Sequence, residues 1–502
     1  MTLYKNIEIP QLDLKYEQPL GLFINNEFVA SSDGETIETF NPATEESIAS
    51  FQAASEKDVD FAVKSARDAF ENEWSKTSAE ERGLLLLKLA DLVEREKSLL
   101  AAIETLDSGK PYHSNSLADL EQILQVTRYF AGGADKFNAG RYIPLKHDKY
   151  AYTMRVPYGV VAQVVPWNYP LAMASWKIQS CLAAGNTIVI KPAENTSLSL
   201  LYFAKLVKEA GFPAGVLNIL PGHGPVTGTA LASHKDVDKI AFTGSTNIGQ
   251  TIMSLAAKSN LKDVTLECGG KSPCVIFADA NLDEAVPWVA AGIFYNSGQN
   301  CTANSRIYVH KDIYQEFLTK FKEYASKNWK FGSKFDPFDE ECTLGPVISK
   351  GQYERIESYV DHGKDSEKLS VKQLAEYPSK KGYFIPPTIF SDVPISSKLS
   401  QEEIFGPVAV AAPFSTYDEA ITLANDSSYG LASCVFSESA RTTGQFARDI
   451  KAGTVWVNSS NDEEAAVPFG GFKMSGIGRE LGPSGVETYL QTKSVHVNIS
   501  KL

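Results

Sequence analysis

The run Tyr295-Asn296-Ser297-Gly298-Gln299-Asn300-Cys301-Thr302 surrounds a cysteine with small and amide side chains. A structural cysteine is usually packed by apolar neighbours, whereas a reactive one has to be approachable. The surroundings of Cys301 therefore suit a nucleophile, although a free cysteine is more often a buried small hydrophobe. Thirty-four residues earlier, Glu267-Cys268-Gly269-Gly270-Lys271 sets a carboxylate beside two glycines, a permissive stretch in which a side chain can swing. Gly298 likewise lets a substrate come close to the backbone. Together these residues suggest a thiol and a general base, the working parts of covalent catalysis.

Such a pair needs a scaffold that brings distant segments together. Val160 to Val165 and Thr187 to Ile190 are short, β-rich apolar runs, as fully buried parallel strands are. Leu200, Phe203, Leu206, Val207 and Ala210 keep one helical face apolar until Gly211 ends it, and Gly215 to Leu220 resumes a strand. Lys239 to Thr243 then leads into Gly244-Ser245-Thr246-Asn247-Ile248-Gly249, a strand followed by a glycine-bounded helix start. This alternation predicts an α/β fold, a parallel sheet with helices on both faces. A second α/β stretch runs from after Gly270 to about Met474 and includes Cys274 to Phe277 and Thr454 to Asn458. Around Thr77-Ser78-Ala79-Glu80 a capping box precedes Leu85, Leu89 and Leu92, predicting a helix buried along that stripe. The charged, Pro- and Gly-punctuated segment Gly363 to Lys381 reads as a surface connection.

A chain of 502 residues exceeds what one hydrophobic core supports, so at least two domains are expected. Its 43% hydrophobic and 22% charged residues are those of a soluble globular protein, and no apolar run reaches membrane-spanning length. The net charge of −13 argues against nucleic-acid binding, which needs a basic face. Six cysteines without CxxC spacing and seven scattered histidines make no case for a disulfide framework or a catalytic metal. Met1 to Pro19 lacks the basic and apolar regions of a signal peptide. The closing Ser500-Lys501-Leu502 reads as a peroxisomal address when exposed, so recognition by an import receptor and residence in the peroxisomal matrix are expected, with the cytoplasm as the alternative.

Five motifs extend the picture: Leu266 to Ser272, Gly298-Gln299-Asn300-Cys301, Pro166-Trp167-Asn168-Tyr169-Pro170, Glu402 to Pro407, and Phe469 to Gly476. In order and spacing they resemble the aldehyde dehydrogenase superfamily over essentially the whole chain. The resemblance implies a Rossmann-type cofactor domain over 1–136 and 158–269 and an α/β catalytic domain over 270–479. It also implies a small β oligomerisation arm with a C-terminal tail over 137–157 and 480–502. In the family such arms, here Gly140 to Val156 with the tail after Glu480, complete a partner's sheet, which implies a homodimer or homotetramer.

The implied reaction is NAD-dependent, irreversible oxidation of an aldehyde to its acid. Cys301 would form a thiohemiacetal and then a thioester, and Glu267 would be the general base for its hydrolysis. The Asn168 amide and the Cys301 N–H would hold the oxyanion. Lys177 matches a family lysine near the thiol and could lower its pKa or simply snorkel, and Glu480 could relay protons or pair structurally.

By the same resemblance the cofactor would meet Val165, Pro166 and Trp167 along a cleft, Lys191 and Glu194 at the adenosine ribose, and Gly224. Gly244, Ser245, Thr246, Ile248 and Gly249 would form the pyrophosphate turn at a helix N-terminus. Glu403 and Phe405 would meet the nicotinamide side, with Gln352 a further ribose contact and Gly269 beside them. The acidic Glu194 disfavours an added 2′-phosphate, so NAD is expected over NADP.

Tyr169, Met173, Trp176, Thr302 and Phe469 correspond to the family's substrate tunnel. Glu463 stands where many relatives of simple-aldehyde specificity carry an aromatic residue, and Asp119 and Glu121 match a region where aminoaldehyde enzymes carry acids. Carboxylates at a tunnel mouth would steer and hold a cation. The expected type is therefore a betaine-aldehyde or aminoaldehyde dehydrogenase, acting on an ω-aminoaldehyde or a trimethylammonio-aldehyde. Dehydrogenation of short or medium aliphatic aldehydes, CoA-acylating dehydrogenation, and a non-catalytic nucleotide-binding relative are the alternatives.

Overall fold

The apolar runs of the first half assemble into a sheet, and a computed structural model of the protein describes residues 2–376 and 381–500. Among these residues an eight-stranded sheet has the order Gly476–Ile477, Asp263–Glu267, Lys239–Thr243, Val160–Val164, Thr187–Lys191, Leu217–Ile219, Leu22–Ile24, Glu27–Val29. The five strands from Asp263–Glu267 to Leu217–Ile219 are parallel. Covered on both faces, they bury Val160, Val161, Ile188, Val189 and Ile240 completely. From Val160–Val164 the chain winds outward one way through Thr187–Lys191 and then returns to the other side with Lys239–Thr243. The carboxyl ends of Val160–Val164 and Lys239–Thr243 thus flank a topological switch point, where a doubly wound sheet opens a ligand crevice.

A seven-stranded sheet has the order Ser370–Gln373, Thr388–Ser391, Val408–Phe414, Arg306–His310, Pro273–Ile276, Ala432–Phe436, Thr454–Val457. Six of its strands are parallel and the first is antiparallel. That first strand corrects the reading of Gly363 to Lys381 as a connection. An edge strand facing water carries charge as a loop does, here with Ser370 and Lys372 exposed. The stretch 377–380 lies outside the described residues.

The helix Ala79–Arg95 begins with the reciprocal Ser78–Glu81 capping box. Its buried face is Leu86, Leu89, Ala90 and Val93, with Leu85 and Leu92 at the margin, because consecutive leucines let the stripe be drawn through either register. The arm is a three-stranded antiparallel sheet, Leu490–Asn498, Lys149–Pro157, Tyr142–Lys146. No described helix is long and apolar enough to cross a membrane. Of the terminal tripeptide only Ser500 belongs to the described residues, so the expected address lies outside them.

Candidate active site

The loop before Cys301 takes three consecutive left-handed residues, Asn296 (φ 51), Ser297 (φ 55) and Gly298 (φ 70). A side chain at Gly298 would collide with the Gly406 carbonyl, so close approach to backbone, rather than to substrate, requires this glycine. The amide and hydroxyl neighbours pin the turn. Asn296 Nδ2 donates to Asn168 O at 2.9 Å, Ser297 Oγ to Gly345 O at 2.7 Å, and Gln299 Oε1 accepts from Ile348 N–H at 2.9 Å. Five of the six cysteines are buried, and Cys301 is the partly exposed one, in the wall between two cavities.

The first cavity, about 290 Å³, is a tunnel that brings together Cys301 and all six residues expected at the substrate: Tyr169, Met173, Trp176, Thr302, Glu463 and Phe469. The Pro170–Ala184 helix supplies Met173 and Trp176 one turn apart, and Trp176 meets Phe469 edge to face at 5.2 Å. Burial, with Asp462 alongside, pushes the Glu463 carboxyl up to about 7, and no cation acts on it among the described residues. Asp119 also lines the tunnel, but its Oδ2 is bound by the buried Lys110 at 2.6 Å. Lys110 Nζ in turn lies 4.1 Å from the centre of the Tyr169 ring. Glu121 pairs with Lys97. Of the acids expected to hold a cation, Glu463 is the one whose charge is not already compensated.

The second cavity, about 570 Å³, opens at the switch point and is lined by nine of the residues expected at the cofactor, Pro166, Trp167, Gly244, Ser245, Thr246, Gly269, Gln352, Glu403 and Phe405, together with Asn168. Ser245 caps the Thr246–Ser259 helix without a side-chain bond, leaving the first-turn N–H groups facing a space that fits a pyrophosphate. Trp167 and Phe405 meet edge to face at 5.3 Å, and Gln352 Nε2 donates to Phe405 O at 2.8 Å. Glu403 Oε1 accepts from Gly270 N–H at 2.9 Å, and a side chain at Gly269 would strike its carboxylate. Burial lifts this acid to about 7.

Six expected cofactor residues lie outside that wall. Lys191, Glu194 and Gly224 form their own cluster, in which Glu194 Oε1 accepts from Gly224 N–H at 2.6 Å and lies 3.3 Å from Lys191 Nζ. Val165 donates its N–H to Lys191 O, and Ile248 is exposed. Gly249 is buried, and a Cβ there would sit 3.0 Å from Cys268 Sγ, so this glycine lets the helix pack closely on the strand's end.

Lys177 is corrected. It neither snorkels nor pairs with the thiol: its buried Nζ donates to Thr243 Oγ1 at 2.5 Å and pairs with Glu480. The charges that act on Cys301 are carboxylates, so burial first, then Glu403, Glu267 and Glu463, raise the thiol far above its ordinary range. Glu267, at the end of its strand, is buried and turned against Gly470, where a Cβ would be 2.7 Å from Oε1. Burial and then Glu480 raise its carboxyl well above the usual range, against Lys177 and Arg479. Its Oε2 has no partner among the described residues. Asn168 Nδ2 donates one hydrogen to Gln299 O at 2.9 Å, leaving the other for the cleft, and the Cys301 N–H, turned toward its own sulfur, has no other acceptor among the described residues.

Sequence reasoning missed Arg355, Tyr429, Tyr295, Asn300 and Lys110. Arg355, one turn beyond Gln352, donates to Glu403 O at 2.7 Å, so the spacing along one helix could have found it. Asn300 was visible within the cysteine motif itself. Lys110 carries no signal in sequence, since its partners come from other helices.

The sequence profile of the aldehyde dehydrogenase family matches residues 28–495. The chain is 67% identical over 501 residues to a Saccharomyces cerevisiae protein named aldehyde dehydrogenase [NAD(P)+] 1, covering 99% of each. Its structure is similar to that of an aldehyde dehydrogenase from Bacillus cereus in an NAD+ complex, with a TM-score of 0.93, 47% identity, and coverage of 99% of this chain and 100% of that one. It is also similar to a betaine aldehyde dehydrogenase from Staphylococcus aureus in complex with NAD+, with a TM-score of 0.92, 38% identity, and coverage of 97% and 98%.

Proposed function

This chain belongs to the aldehyde dehydrogenase family of NAD-using oxidoreductases, and from that premise we propose that it oxidises a cationic aldehyde, an ω-aminoaldehyde or a trimethylammonio-aldehyde, to the carboxylic acid. The observation that carries this reading is Glu463, an acid without a cationic partner among the described residues, in the wall of the tunnel that ends at Cys301. A carboxylate held partly out of water gains most from a ligand that brings its own positive charge.

In the proposed reaction Cys301 Sγ bonds to the aldehyde carbon, the thiol proton departs, and the carbonyl oxygen becomes an oxyanion. The second Asn168 N–H and the Cys301 N–H are the donors available to that oxygen. Glu403, Phe405, Trp167 and the first turn of Thr246–Ser259 would hold NAD, which would supply the two-electron acceptor needed for the adduct to become a thioester. Glu267, swung away from Gly470 about its flanking glycines, then takes a proton from the water that attacks the thioester, which releases the acid and returns the thiol. The retained carboxylate favours water over a CoA thiol as the acceptor.

The test compares kcat/KM for a trimethylammonio-aldehyde and its neutral tert-butyl isostere, whose charges do not change with pH. Glu463→Gln lowers the value for the cation by about tenfold, the equivalent of roughly 1.4 kcal/mol, and changes the neutral substrate less than about twofold. Because Glu463 titrates near 7 and is charged above it, the cation-to-neutral ratio rises between pH 6 and 8 in the native enzyme and is flat in E463Q. Equal losses on both substrates would instead favour aliphatic aldehydes, for which Met173, Trp176 and Phe469 suffice.

A further inference from the structure

Asn300 Oδ1 is the meeting point of three donors: Thr302 Oγ1 at 2.9 Å, Thr302 N–H at 3.2 Å and Cys301 Sγ at 3.8 Å. The backbone N–H of Thr302 can only donate, and that fixes the amide with its oxygen, not its NH2 group, turned toward the sulfur. Thr302 is almost fully buried, so the clamp has little room to rearrange. A carbonyl oxygen has two lone pairs, and the two Thr302 donors are the closer claimants. The thiol is therefore the loosely held third.

We propose that Asn300, oriented by Thr302, is a positioning residue that holds the Cys301 thiol in its protonated, tunnel-side orientation and releases the sulfur once the proton is gone. A neutral S–H can donate to Oδ1, whereas a thiolate facing that oxygen meets only its negative end. Asn300 and Thr302 line the tunnel, whereas Cys301 lines both the tunnel and the cofactor cleft. Loss of the proton thus drives the sulfur away from Asn300, toward the side on which Asn168 offers its N–H. The other groups facing the sulfur are Glu403, from the segment after Lys398–Gln401, Glu267 from the sheet, and Glu463 from the segment after Thr454–Val457. All three are acids, so none offers a cation that would hold a thiolate beside Asn300, and the neighbouring group that favours the thiolate is the backbone N–H of Cys301 itself. Lys177 and Arg479 act on Glu267 instead.

This inference rests on Cys301 being the nucleophile, and the experiment separates the two. The pH dependence of Cys301 carbamidomethylation by iodoacetamide is followed by peptide mass spectrometry on the full-length protein, for the native enzyme, Asn300→Leu and Asn300→Asp. N300L removes the acceptor at similar volume and speeds alkylation at pH 7 by roughly threefold to tenfold, with the midpoint moved down. N300D keeps the shape but places a negative charge beside the sulfur, so alkylation slows and the midpoint moves up. A role in packing alone would move both variants in the same direction. Shifts of the same sign, or midpoints equal to the native one, overturn the inference. Full turnover by Cys301→Ser would overturn the nucleophile reading itself.

Discussion

At the scale of the residue, Glu267 makes the sharpest prediction. If it serves only the water step, Glu267→Gln retains a burst of about one NADH per subunit, while steady turnover falls by roughly two to four orders of magnitude. Loss of the burst itself would move Glu267 to the thiol-activation step. Its pH behaviour follows from the Lys177–Glu480 pair behind it. Next to burial, Glu480 is the influence that raises the Glu267 carboxyl, and Lys177 opposes it. Glu480→Gln removes the negative neighbour and leaves Lys177 free, so Glu267 ionises at lower pH and the acid limb of the steady-state rate moves down. A lower maximal rate with an unmoved limb would indicate instead that Glu480 carries protons. Cys301, Asn168 and Glu267 were legible because their motifs place unusual residue types beside glycine or proline. The pairing of Lys177 was not, because its partners Thr243 and Glu480 come from other parts of the chain.

At the scale of the element, the tunnel depends on how four helices are fastened under Tyr169. Glu104, in Lys97–Ser108, accepts from Leu171 N–H at 3.0 Å and from Ser199 Oγ at 2.6 Å. It thereby ties the starts of Pro170–Ala184 and Leu198–Ala210 to one carboxylate. Its Oε2 lies 3.7 Å from Lys110, which bonds Asp119 in Leu117–Gly133. Removing one partner of a buried pair leaves the other charge uncompensated, at a cost of about 3–5 kcal/mol. Lys110 faces both Glu104 and Asp119, so Lys110→Met leaves two buried carboxyls without their cation and is expected to lower the urea midpoint strongly, whereas Asp119→Asn leaves Glu104 facing the lysine and lowers it less. A D119N variant as unstable as K110M would mean that Asp119 alone holds Lys110. The buried parallel strands were readable as apolar runs because both of their faces are covered. The strand Ser370–Gln373 was not, since half of an edge strand faces water and its composition matches a turn.

At the scale of the whole molecule, alternating strands and helices announced one parallel sheet and a second α/β stretch, but not that the second is largely parallel too, nor by themselves that Asn168, Cys301 and Glu463 would converge, because that depends on how the sheets face each other across the cleft. The arm poses the remaining question. Tyr142–Lys146 is exposed along its whole length, forms an outer strand of its sheet, and presents Tyr142, Ile143 and Leu145 to solvent. A strand with one free edge and exposed apolar side chains is a poor surface for an isolated chain and a good one for pairing with a second copy. We therefore expect Ile143→Glu combined with Leu145→Glu to reduce the mass in solution, measured by light scattering, to half or less of the native value. The negative charges would fall where two apolar surfaces meet, a burial that costs several kcal/mol unless the charges are paired. The chain's −13 net charge adds repulsion between copies that the apolar contact must overcome, so raising the salt concentration should partly restore the assembly of the double variant. An unchanged mass in the double variant would place subunit contact elsewhere on the molecule and leave the arm without this role.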